Sequence, residues 1–188
     1  MQCSPDSSPD LLPESAPDSP HAQRAHTLLK ALAQNFYEIV PAELETYCAV
    51  TSRISQRVLS HFDIESRLTP CQAWLATQKG NFVVGFLGHP PRAGVWDGHV
   101  TCCTDHWLLD TALSHFKREF KIEAPKVALA PRFRVNTLLI ARADLGVSDR
   151  LWWIPPPPGA TAVPMEPEDV VKRHADRLIE RLESLQAP

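Results

Sequence analysis

No apolar run in this chain approaches the roughly 18 residues that cross a bilayer as a helix, so a helical membrane span is not expected. Lysine and arginine (19) are outnumbered by aspartate and glutamate (22), and no basic stripe marks a nucleic-acid surface. The first twenty residues hold Asp6, Asp10, Glu14 and Asp18 and no base, the wrong charge for a signal peptide. Cytoplasmic synthesis is the expectation. Removing those four negatives takes the formal charge from −3 to +1, so the remainder is near neutral. The five cysteines are odd in number and lack a repeating spacing, which argues against a disulfide framework. Glycine is scarce (7) beside 18 prolines, and there is no internal repeat.

What is present suits one soluble α+β domain: 188 residues, 44% hydrophobic and 22% charged. Residues 1–20 are a Ser/Pro/Asp mixture with five prolines and too little apolar surface to offset ordering, and are expected to form a disordered tail. Residues 21–188 form the domain. Helical spacing of Leu28, Leu29, Leu32, Phe36 and Ile39 predicts a helix over His21–Val40, ended by Pro41. A second helix carries Val50, Ile54, Val58 and Phe62 on one side, with Cys48 at the border of that stripe. If Thr46 caps it, Cys48 lies in the first turn, where free N–H groups and the helix dipole favour a thiolate. If it begins near Pro41, Cys48 is interior and loses that help. Residues 65–76 read as a strand, edge or bulged because of Pro70, and Phe82–Leu87 as a second apolar run. Ala112–Phe120 reads as a short helix or irregular segment, Val135–Arg142 and Leu151–Ile154 as strands, and Pro167–Leu185 as an amphipathic helix.

The segment GVWDGHVTCCTDHWLLDTAL, Gly94 to Leu113, reads as a hairpin, His99–Cys103 followed by His106–Asp110. With Thr104-Asp105 as the loop, Cys103 faces His106, Thr101 faces Leu108 and His99 faces Asp110. Partners directly opposite have Cβ atoms about 4.5–5.5 Å apart and share a face. An imidazole and a carboxylate so placed form the orienting half of a triad, and Cys48 supplies a thiol upstream. The bland alternative makes Cys48 a small core residue and His99–Asp110 a structural hydrogen bond.

Cysteine, histidine and acid in this order, on Tyr47-Cys48-Ala49, Trp96-Asp97-Gly98-His99-Val100 and Leu108-Leu109-Asp110-Thr111, resemble the papain-like, transglutaminase-like superfamily of cysteine enzymes. The resemblance covers roughly residues 45–115. It implies a papain-like (transglutaminase-like) fold, with a nucleophile helix packed on a small antiparallel sheet. It also implies a thiol-dependent hydrolase or acyltransferase acting on an amide or ester, with Cys48 as nucleophile, His99 as general acid/base and Asp110 as orienter. Thr101 and Thr111 stand where many relatives have an aromatic residue and a proline. The Arg-Gly-Gly run that precedes the cysteine in arylamine N-acetyltransferases is absent, so acetyl-coenzyme A is not implied and no cofactor is expected. For the second oxyanion donor Trp96 and Gln34 are open choices. The run HVTCCTDH offers His99, Cys103 and His106 as three ligands of a zinc site that lacks its fourth, and no metal is expected. A non-catalytic interaction protein of the same fold, or an exported bacterial effector, is the alternative.

Overall fold

The computed structural model describes residues 19–86, 96–133, 138–158 and 163–186. The expected disordered tail lies outside them except for its last two residues, and these belong to the first helix. Ser19 caps α1 (Pro20–Ile39), its Oγ accepting from the Ala22 N–H at 3.2 Å, and Pro20 opens it. Val40 is extended and a short 3-10 turn, Ala42–Leu44, follows Pro41. The second helix, α2, spans Cys48–His61. Of the two sequence alternatives for its start, Cys48 therefore takes the first turn. Its N-cap is Tyr47 rather than Thr46, and no side chain caps it; the Thr46 hydroxyl instead accepts from Arg118 Nη1 at 2.7 Å.

Seven strands form one antiparallel sheet: β1 (Arg67–Thr77), β2 (Gly80–Val84), β3 (His99–Cys103), β4 (Trp107–Asp110), β5 (Ala128–Pro131), β6 (Ala141–Asp144) and β7 (Arg150–Ile154). The main path runs β5-β4-β3-β1-β7-β6, with β2 beside β1. A bridge between Arg132 and Ala141 brings the two ends of that path together, so the sheet is nearly closed into a barrel. It is larger than the small sheet expected. Two helices complete the α+β chain, α3 (Ser114–Phe120) and α4 (Glu168–Gln186). Among the described residues no helix is long and apolar enough to cross a membrane.

Pro70 falls in the half of β1 that pairs only with β3, since β7 joins at Gln72–Ala76; this is where a residue without an N–H is tolerated. The strand expected over Val135–Arg142 is corrected: Val135–Thr137 lie outside the described residues, Leu138 is exposed, and β6 begins at Ala141. The apolar run misled because Leu138 is on the surface and the strand ladder starts after Ile140, whose N–H donates to Trp153 O at 2.7 Å. The β5 strand, Ala128–Pro131, is too short and too alanine-rich to have signalled itself. Leu185, the last residue of the amphipathic helix expected over Pro167–Leu185, is exposed.

Period-two alternation divides the core. Cys102 and Leu109 point outward beneath α1, α2 and α4, whose Leu29, Leu32, Phe36, Ile54, Leu59, Leu178 and Leu182 are buried there. Cys71, Ala73, Leu75, Cys103, Leu108 and Trp153 point into the barrel. His99, Thr101 and Asp110 alternate onto this inner face, within two residues of the barrel's own apolar filling.

Candidate active site

The hairpin forms, with its register moved by two residues. Cys102 pairs with Leu109 and Cys103 with Leu108, so Cys103 faces Leu108 and not His106, and extending the pairing sets Asp110 opposite Thr101 and not His99. The loop is Asp105-His106, closed by a Thr104 N–H bond to Trp107 O at 2.9 Å and by the Trp107 N–H on Thr104 Oγ1 at 3.1 Å. A threonine hydroxyl able to hold the turn displaces the loop by one position. Because the shift is even in the pairing, His99 and Asp110 remain on one face as diagonal neighbours, a distance long side chains can span. His99 Nε2 and Asp110 Oδ2 are 2.7 Å apart, and both residues are essentially inaccessible to solvent.

Asp110 is held from three sides. Besides His99, Trp153 Nε1 donates to Oδ2 at 2.7 Å, and the Ala112 N–H donates to Oδ1 at 3.0 Å. Burial disfavours its charge, but the His99 charge and these hydrogen bonds prevail, and the carboxyl stays below its ordinary range. Burial works against His99 in the same way. The adjacent carboxylate outweighs it and, with a smaller contribution from Cys48, pushes the imidazole up to about 10. Both shifts run in the direction that favours an ionised pair, buried on the inner face of the barrel.

Cys48 reaches this pair from outside the barrel wall. Ser52, one turn along α2, donates from Oγ to Val100 O at 2.9 Å and fastens the helix to β3. Cys48 Sγ lies 3.8 Å from Gly98 O, and Cys48 packs with Ala49, Val100, Ala112 and Trp96. Gly98 is required there, because a Cβ would stand 2.3 Å from the Trp96 ring and 2.6 Å from Phe86. Cys48 Sγ, a ring nitrogen of His99 and a ring nitrogen of His115 all lie within 4.8 Å of one another. With Nε2 of His99 on Asp110, its buried Nδ1 has no hydrogen-bond partner among the described residues and is the nitrogen left available to the thiol. The three residues named from sequence therefore converge.

A cleft of about 310 Å³ leads to His99, lined among others by Val84, Trp96, Gly98, His115, Arg118 and Phe120. A larger one, about 700 Å³, lies beside α2 and α4 among Arg53, Arg57, His61 and Glu168 and includes none of Cys48, His99, Asp110 and His115; of these four, His99 and His115 line the smaller cleft. Trp96 lines it and carries a buried Nε1–H that has no partner among the described residues. Gln34 is exposed on α1 and is not part of the lining.

The zinc grouping read from HVTCCTDH does not form. Four strand residues, about 13 Å, separate Cys103 from His99, and His106 is in the turn. Among the described residues the one grouping with ligand geometry is Cys48, His99 and His115. Arg118 Nη2, which can only donate, lies 3.1 Å from His115 Nδ1, so the neutral ring carries its proton on Nε2 and has no lone pair there to offer a metal.

Sequence reasoning missed Trp153 and His115. Trp153 reads simply as half of a strand's apolar alternation, and only barrel closure brings its indole to Asp110. His115 lies on a seven-residue helix without a pattern of its own. No family model matches this chain, and comparison with the curated proteins and with the solved structures found no match.

Proposed function

We propose that this protein is a cysteine-dependent hydrolase or acyltransferase of papain-like (transglutaminase-like) type, acting on an amide or ester through a covalent acyl-enzyme. The observation that carries the reading is the line from Cys48 Sγ through His99 to Asp110, with the acid fixed by three donors. An imidazolium beside a thiol favours the thiolate, and Asp110 keeps His99 protonated and oriented. The thiolate attacks the substrate carbonyl carbon; the C–S bond forms and the carbonyl pair moves to oxygen. When this adduct collapses, the C–N or C–O bond breaks and the His99 proton passes to the leaving amine or alcohol. Water or an acceptor nucleophile then attacks the thioester, gives its proton to His99 and frees Cys48. The backbone N–H of Cys48, in the first helical turn and without an intrahelical acceptor, is one donor for the oxyanion. The substrate is an amide or ester, peptide or protein included.

The test needs no known substrate. In a Cys3→Ser background, iodoacetamide labelling followed by peptide mapping should mark Cys48 first, and His99→Ala should slow it by tenfold or more. p-Nitrophenyl acetate should give a burst of nitrophenolate equal to the enzyme and leave an acetyl group on Cys48. An inert Cys48 with no burst would instead make this a non-catalytic interaction protein with Cys48 in its core.

A further inference from the structure

We propose that His115 is a further catalytic residue, a neutral hydrogen-bond donor that stabilises the oxyanion formed when Cys48 attacks a carbonyl. This rests on the acyl-enzyme reading above and adds to it the second donor that the chemistry needs beside the Cys48 backbone N–H. Three observations converge. A ring nitrogen of His115 lies within 4.8 Å of both Cys48 Sγ and a ring nitrogen of His99. Nδ1 of His115 accepts from the Arg118 guanidinium at 3.1 Å, which fixes the tautomer with hydrogen on Nε2. Nε2 is buried and has no hydrogen-bond partner among the described residues, so it is an unsatisfied donor on a side chain that lines the cleft together with His99 and Arg118. Burying such a group without a partner is costly, and an incoming oxygen removes that cost.

The distances accommodate the adduct. The oxygen of a thiol–carbonyl adduct sits about 2.7 Å from the sulfur, and a useful donor lies about 2.7–3.1 Å from that oxygen. Two such steps at an ordinary angle fit within the 4.8 Å that bounds the separation between Sγ and a ring nitrogen of His115. The His115 ring stands edge-to-face with His99, at 88° and 6.0 Å between centroids. His99 moves the proton while His115 holds the oxygen. Charge keeps these roles apart: burial first, then the His99 and Arg118 charges, bring His115 down to about 4, so it stays neutral where His99 is cationic. Asp110 and Glu119, the acids that act on His115, oppose this shift with smaller effect.

The experiment compares two reactions of Cys48 in the full chain, one with an oxyanion and one without. Acylation by p-nitrophenyl acetate passes through a tetrahedral oxyanion; alkylation by iodoacetamide does not. His115→Leu should slow acylation about 100-fold and change alkylation less than threefold. His115→Gln, whose side-chain amide can present an N–H from nearly the same place, should recover at least a tenth of the lost rate. Equal losses in both reactions would overturn the proposal and make His115 a support of the thiol or of the fold. Acylation unchanged in His115→Leu but lost in Trp96→Phe would overturn it in favour of the indole. Absence of any burst in the wild type would remove the acyl-enzyme reading itself, whereas a wild-type burst preserved in His115→Leu removes only the role of His115.

Discussion

At the scale of single residues, the deciding feature is that every partner of Asp110 is a donor. Trp153, the Ala112 backbone and His99 each direct an N–H at a carboxylate with no competing acceptor. An asparagine is nearly isosteric but must turn its own NH₂ toward one of these donors. Asp110→Asn should therefore cost about 1–3 kcal/mol of stability as well as thiol reactivity, read from denaturant unfolding beside iodoacetamide labelling. Trp153→Phe removes one donor and leaves the ring volume largely filled, and should cost about 1.5–3 kcal/mol because the bond it loses is to a charged group. Unchanged unfolding in both variants would mean that the carboxylate is held some other way. The same scale sets an expected order of reactivity among the thiols. Burial raises Cys71 well above its ordinary value, Cys102 to about 12 and Cys103 upward, so these three should resist alkylation until the chain unfolds.

At the scale of elements, position depends on two close approaches that leave no room for a side chain, at Gly98 and at Gly85. Gly85, just past β2, has φ +85°, and a Cβ there would stand 2.5 Å from His99 Cβ. Gln72 on β1 holds this bend by donating from Nε2 to Gly85 O and Phe86 O at 3.1 and 2.8 Å. Gly85→Ala should combine backbone strain with a push on His99, lowering stability by about 1–3 kcal/mol and slowing Cys48 alkylation. Melting curves and labelling rates check both effects; a variant with wild-type values would show that the bend does not position His99. The hairpin carries a related lesson. A slip that brought an odd residue into register would have sent His99 and Asp110 to opposite faces, but the observed two-residue shift preserves their shared face. Alternation along a strand is thus a more robust predictor of a side-chain pair than the exact cross-strand partner.

At the scale of the whole molecule, an ion pair inside a barrel makes stability depend on pH. His99 is raised from 6.5 to about 10, so its contribution is complete below about 6.5 and is lost as the pH climbs through 10. Asp110 is lowered from 3.8, so its contribution is present above that value and disappears as acid protonates it in the fold. The melting-temperature gap between wild type and Asp110→Asn should accordingly be widest between about pH 4 and 6.5 and narrow steadily toward pH 10. A gap independent of pH would mean that the pair is not ionised. Deleting residues 1–18, whose composition cannot pack a core, should leave the melting temperature unchanged if Ser19 is kept to cap α1. A fall of several degrees would overturn that expectation.

The sequence by itself determined what depends on local spacing. Apolar periodicity sets the helices that cover the sheet, alternation puts His99 and Asp110 on one face, and Pro41 with the stripe after it leaves Cys48 at a helix border. Tertiary structure decided the rest, because closing the barrel and docking α2 bring together groups far apart in the chain. Asp110 meets the Trp153 indole 43 residues away, and Cys48 meets Gly98 after 50. The role proposed for His115 depends on Arg118 binding its Nδ1 and on folding that sets a ring nitrogen of His115 near a thiol 67 residues back in the chain. No spacing rule encodes such meetings; they follow from where a nearly closed sheet places its ends.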